Sequence, residues 1–407
     1  MHRFACVLSA RSLLTASLAR AMVVLALGTV LGQSAQAQTF KVLHMFTGPP
    51  DGGIPEGTLL LHAGSLYGTT LYGGESEPNA LEGNGTVFEV NIETGKEIVL
   101  HAFAGTPSDP GSPVAGLIRD SAGNFFGNAS DAVFQMNSAG AEIILHTFSG
   151  PDGEFPECVL VRNSQGNLYG TTAAGGAYGY GTAFKLDTAG TLTTLYSFTG
   201  LSDGSYPQAG LLLKNGNLYG TTRESYPTYY GTVFELNPNT GSLSTLYSFT
   251  GGADGGYPES PLIGDGQGNL YGTTYEGGNG ASGVGDGVVF KLNIATRQET
   301  VLHTFEGQPD DGANPQAGLV RDSAGNFYGT TVNGGATNAG TVFELSMAGT
   351  LTALHSFTGG TDGAYPYAGL VIGSKGNLYG VASQGGVSGC STLTQFSSCG
   401  TVFEITP

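Results

Sequence analysis

The chain contains no tryptophan, and only 11% of its 407 residues are charged. Cations are scarcest: 14 Lys and Arg stand against 32 Asp and Glu, a formal net charge of −18. Nucleic acid is therefore excluded as an expected partner, because neutralising phosphates needs a basic surface, and an anionic membrane surface is disfavoured for the same reason. Low charge density with 40% hydrophobic residues does not fit a solvated disordered chain either. No 3.6-residue apolar period occurs, so helices are not expected. There is no HExxH, no Gly-x-Ser-x-Gly elbow, no phosphate-binding Walker loop and no dinucleotide fingerprint. An enzyme that carries its chemistry in a local motif is thereby disfavoured.

Cysteine is limited to four residues, with no CxxC pair and no His/Cys cluster at zinc spacing. Cys390 and Cys399 flank a Ser/Thr-rich loop and are expected to pair in an oxidising compartment. Cys158 lies in an apolar Cys158-Val159-Leu160 run and reads as a buried, inert thiol. Long apolar runs are missing as well. Ala21 to Leu31 is too short to span a bilayer, and no second stretch follows. With Arg3, Arg11 and Arg20 before it and Ser34-Ala35-Gln36-Ala37 after it, this segment reads as a signal peptide cleaved near Ala37. Residues 1–37 are then the leader and 38–407 a single exported domain, secreted or periplasmic, with no membrane span and expected to be a monomer.

What the sequence has in abundance is glycine, 69 residues, with 18 prolines, arranged in one unit written seven times. An Asn-Leu-Tyr-Gly element has its aromatic at Tyr67, Phe126, Tyr169, Tyr219, Tyr271, Tyr328 and Tyr379. A Thr-Val-Phe-Glu element follows at Phe88, Phe134, Phe184, Phe234, Phe290, Phe343 and Phe403, spaced 46 to 60 residues apart. A Leu-His-x-Phe element carries His44, His101, His146, His303 and His355, with Tyr196 and Tyr247 in the other copies. Short β-type runs punctuated by Gly, Asn and Asp predict four strands per unit. Repeats of this length match propeller blades, whereas solenoid coils usually have shorter periods. The last unit lacks a fourth strand, and residues 40–46 supply one at the other end of the chain. The expectation is an all-β, seven-bladed propeller whose ring closes through the N-terminal strand, leaving no open edge.

The Asp-Gly-x-x-Pro, Gly-Asn-Leu-Tyr-Gly-Thr-Thr and Gly-Thr-Val-Phe-Glu/Lys-Leu elements resemble the Gloeo-Verruco, or choice-of-anchor, tandem Gly-rich repeat of bacterial exported proteins. The blade grammar is also similar to NHL-type propellers. The resemblance covers essentially residues 40 to 407 and implies a secreted or surface repeat protein. It brings no catalytic residues to carry over.

Repetition separates what builds blades from what is free to act locally. The His/Tyr position recurs in every unit and reads as structural, a ring with a polar tip. An Asp-Gly pair recurs at Asp51, Asp152, Asp203, Asp254, Asp311 and Asp362, with Asp109-Pro110 as an imperfect seventh. It reads as an Asx-type turn or, alternatively, as a ring of carboxylates for Ca²⁺, the one cofactor the sequence suggests. The position after the recurring Pro, where the first strand nears the channel, reads Glu56, Val114, Glu157, Gln208, Glu259, Gln316 and Tyr367. Loops on the same face carry Tyr72, Tyr178, Tyr180, Tyr226, Tyr229, Tyr230 and Tyr275, and Arg223-Glu224 replaces the small pairs of other units.

Aromatic rings beside amides and carboxylates suit a glycan, by stacking and by hydrogen bonding to hydroxyls. The functional expectation is a binding module for a glycan or a protein on this face. A polysaccharide lyase or hydrolase using the channel-mouth carboxylates, and a passive envelope component, are the alternatives.

Overall fold

The computed structural model describes residues 38–74, 83–278, 285–387 and 398–406; the leader and Cys390 lie outside the described residues. Seven four-stranded sheets form the blades of a β-propeller, all within one compact unit, Thr39–Thr406. The fourth blade shows the pattern: Leu212–Lys214 innermost, then Asn217–Thr222, Thr232–Leu236 and the outer strand Leu243–Ser248, each antiparallel to the last. The seventh blade consists of Val371–Ile372, Leu378–Ala382 and Thr401–Thr406, and its outer strand is Thr39–Met45 from the start of the chain. Thr39 pairs with Thr406 and Met45 with Thr401, so the ring closes as the sequence implies.

Each blade is built around one glycine and one phenylalanine. A Cβ on the Gly of Leu-Tyr-Gly would lie 2.5–2.8 Å from Cζ of the third-strand Phe in all seven blades, so the tip of the ring meets bare backbone. That Phe then meets, edge to face, the Phe ending the previous blade's outer strand. The seven pairs run from Phe46–Phe88 at 5.0 Å through Phe198–Phe234 at 5.2 Å to Phe357–Phe403 at 5.4 Å between centroids. A ring of interlocked aromatics thus joins every blade to the next, each pair contributing about 0.5–1.5 kcal/mol beyond its buried area.

The Leu of Leu-His-x-Phe is the extra residue of a β-bulge in the outer ladder. Val87 pairs with His101 and Phe88 with Val99, skipping Leu100, and the same shift recurs in every blade. The bulge bends the strand, and the His or Tyr that follows reaches the link to the next blade. Cys158 is a free thiol, 2% exposed, bonded only to the Thr171 backbone.

Gly220→Ala tests this contact. The new Cβ would lie 2.6 Å from Phe234 Cζ and 2.8 Å from Leu211 Cδ2, an overpacking expected to cost about 1–3 kcal/mol. Urea unfolding should show that loss, and the double variant Gly220→Ala/Phe234→Leu should recover part of it.

Candidate functional site

The site is positioned by a strained step that recurs seven times. The residue before each recurring Pro has φ between +53° and +57°: Ile54, Ser112, Phe155, Tyr206, Tyr257, Asn314 and Tyr365. Branched and aromatic side chains rarely adopt this left-handed region. What holds them there is a pair of backbone bonds. The N–H of Tyr257 donates to the Tyr230 carbonyl of the preceding blade at 3.0 Å, and its own carbonyl accepts from Tyr275 at 3.0 Å. Ile54, Tyr206, Asn314 and Tyr365 make the same two bonds. The Pro ring then sits against a glycine of the previous blade; a Cβ on Gly85, Gly181, Gly231, Gly287, Gly340 or Gly400 would lie 2.7 Å from its Cδ. In the second blade Asp131 occupies that glycine's place, and its Oδ1 accepts from the Phe155 N–H at 3.2 Å.

This step turns the next residue toward the axis. Glu56, Val114, Glu157, Gln208, Glu259, Gln316 and Tyr367 together line one cavity of about 320 Å³ at the channel mouth. Beneath it the walls become apolar, with Leu59, Leu117, Leu160, Leu211, Leu319 and Leu370 among the residues around a second cavity of about 310 Å³.

Neighbouring ring positions pair. Gln208 Nε2 donates to Glu157 Oε2 at 3.3 Å, and Gln316 Nε2 donates to Glu259 Oε2 at 2.7 Å. Arg223 Nε donates to Glu259 Oε1 at 2.5 Å, and its Nη1 lies 3.4 Å from Glu224 Oε1. The guanidinium also lies over the Tyr257 ring, 5.4 Å from its centroid. Both oxygens of Glu259 are therefore engaged. Glu56 differs: burial, reinforced by the charge of Glu157, pushes its carboxyl up to about 7. Glu157 is also raised by burial, with the Gln208 bond opposing the shift. Oε1 of Gln316 is buried without a hydrogen-bond partner.

The loop tyrosines divide into two groups. Tyr180 and Tyr230 cover backbone: a Cβ on Gly200 or Gly251 would strike their rings at 2.8 and 2.4 Å. They also pack edge-on against Tyr206 and Tyr257. Tyr178 and Tyr229 are open to solvent, at 61% and 55% exposure. Tyr229 forms a perpendicular pair with Tyr226, centroids 5.7 Å apart, on the loop that follows Arg223 and Glu224. Tyr275 lies close enough to the channel mouth for the charge of Glu259 to raise its pKa alongside burial. The sequence named Arg223 as the odd residue of its blade and Glu259 as a ring residue one repeat later, but nothing local signals that the two pair or that Tyr257 lies under the guanidinium.

The repeated aspartates sit in their separate blade links. Asp51, Asp152, Asp311 and Asp362 lie 2.8–3.2 Å from a histidine Nε2. Asp203 and Asp254 accept from Tyr196 and Tyr247 at 3.0 Å. All six also accept a backbone N–H within their own turn. Among the described residues, groups of three ligand-type side chains form at only two of these links, around His44 and His101. Cys399 is disulfide-bonded.

No curated protein matches the chain in sequence. Similar solved structures include a streptogramin B lyase, 14% identical, covering 91% of this chain and 97% of that one with a TM-score of 0.59. The virginiamycin B lyase of Staphylococcus aureus is 12% identical, covering 91% of this chain and all of that one, TM-score 0.59. The oligogalacturonate lyase of Vibrio parahaemolyticus is 12% identical, covering 91% and 94%, TM-score 0.55. At these identities the likeness is one of fold. The Gloeobacter/Verrucomicrobia repeat matches residues 128–308 and 280–407, well over half of the chain. The chain belongs to the Gloeobacter/Verrucomicrobia repeat family.

Proposed function

We propose that this protein is an exported binding module that holds a hydroxyl-rich ligand, a glycan, across the channel mouth and the adjoining tyrosine loops. One observation carries the reading: seven residues from seven blades converge on a single cavity of about 320 Å³, five of them carboxylates or amides. Such groups accept from and donate to hydroxyls, and the exposed Tyr226–Tyr229 pair beside Arg223 offers faces on which a sugar ring stacks. The buried, unpartnered Oε1 of Gln316 is an acceptor in want of a donor. Export follows from the leader read in residues 1–37. Among the described residues no helix is long and apolar enough to cross a membrane.

Glu56 supports a second reading. A carboxyl held near 7 beside another carboxylate is poised for acid/base work, and three of the similar folds are named as lyases. In that case Glu56→Gln abolishes turnover of a polysaccharide while leaving its binding intact.

A glycan array probed with the purified protein, in Ca²⁺ and again in EDTA, tests the binding reading. A selective hit is expected, and Tyr226→Ala/Tyr229→Ala, both exposed, should weaken it by about tenfold or more without lowering the melting temperature. A blank in both buffers would exclude glycans and turn attention to protein partners.

The pH dependence of Glu56 is separately measurable. Its folded-state pKa of about 7 lies above the ordinary 4.5, so across that interval the fold binds the proton and the unfolded chain does not. The carboxyl therefore costs stability progressively as pH rises from about 4.5 to about 7, and the cost is complete above that. Glu56→Gln removes it. Thermal melts should show the variant more stable than the native protein at pH 8, with the gap closing toward pH 5; a gap independent of pH would contradict the assignment.

A further inference from the structure

The polar tip of every outer-strand His or Tyr meets an aspartate, yet at two places a third side chain arrives from the following blade. Glu142 opens the outer strand of the second blade, and its Oε2 lies 3.2 Å from Nε2 of His101 in the first. The same Nε2 is 3.1 Å from Oδ1 of Asp109, in the link between the two blades. One ligand atom from each of the three lies within 4.8 Å of the others. Glu97, opening the outer strand of the first blade, forms the same cluster with His44 and Asp51, and there His44 belongs to the closing strand.

These clusters are more than neighbouring acids. The Glu142 side chain is 5% exposed, and its Oε1 is buried with no hydrogen-bond partner. Oε1 of Glu97 is likewise buried and unpartnered. A desolvated carboxylate needs a cation or a full set of donors. Here one imidazole N–H faces two carboxylates. An imidazole nitrogen with two carboxylate oxygens is a donor set suited to zinc and related ions, whereas Ca²⁺ takes six to eight oxygens.

We propose that His101, Asp109 and Glu142, and likewise His44, Asp51 and Glu97, each bind one Zn²⁺-class ion. The fourth position of a tetrahedral ion is left for water. Because each triad draws on two successive blades, the two ions rivet the seventh, first and second blades together across the point where the ring closes. The fifth blade shows what the imidazole decides: Glu299 has the same buried, unpartnered Oε1, but Tyr247 stands where the histidine would be, and no such triad forms.

The repeats themselves supply variants that keep the fold. His101→Tyr installs the residue of the third and fourth outer strands, and Glu142→Leu installs the residue of Leu192, Leu243 and Leu351. Chelator-stripped protein titrated with ZnCl₂, with metal content measured after gel filtration, should bind two equivalents and melt at a higher temperature once loaded. His101→Tyr and Glu142→Leu should each bind one, and His44→Tyr/His101→Tyr none, with metal-free melting close to native as the check on folding. CaCl₂ in place of ZnCl₂ should produce neither effect. Absence of stoichiometric zinc in the native protein, or two equivalents persisting in His44→Tyr/His101→Tyr, would overturn the assignment.

Discussion

The structure depends on one backbone step, the left-handed residue before each recurring proline. A Tyr, Phe or Ile at φ near +55° is unfavourable by itself. At Ile54, Tyr206, Tyr257 and Tyr365 it persists because the N–H is tied to one blade, the carbonyl to the next, and the following Pro is seated on a glycine that admits no side chain; at Phe155 the Asp131 carboxylate takes the N–H instead. The step therefore does two things at once: it joins neighbouring blades, and it delivers the next side chain to the channel. A change in the step would therefore disturb the register between blades and the aim of the channel-mouth side chain together. In six blades the glycine at the third-strand start is favoured twice over, by its own positive φ and by the proline against it, and in the second blade Asp131 takes its place.

That coupling explains why so much was legible in the sequence. Proline marks the step in every copy, so the residues after it read as one ring in the sequence, and all seven line one cavity. The Leu-Tyr-Gly and Val-Phe elements were legible for a similar reason: the glycine exists to receive the phenylalanine, and neither works without the other. What stayed hidden were contacts between blades. Glu97, Glu142 and Glu299 occupy a strand position where Leu stands in three other blades, and nothing local separates them from solvent-facing acids. The histidines that Glu97 and Glu142 meet, His44 and His101, lie one repeat earlier. Tyr180 and Tyr230 read as ligand-facing rings in Gly-rich loops, yet each lies over a glycine of the following link, Gly200 and Gly251.

Electrostatics separates the two halves of the channel mouth. On the side of the fourth to sixth blades, Glu259 is neutralised by Arg223 and hydrogen-bonded by Gln316, so a full charge is held there in a satisfied network. On the side of the first and third blades, Glu56 and Glu157 share a poorly solvated space where, among the described residues, Gln208 donates to Glu157. A protein of net charge −18 gains nothing in stability from adding desolvated carboxylates to its interior. Val114, in the second blade, shows that the ring position also accepts an apolar side chain. The interlocked phenylalanines join every blade to the next whatever side chain stands at the ring position. Groups that weaken the fold and yet stand together at the channel mouth are the ones that the proposed ligand would meet there.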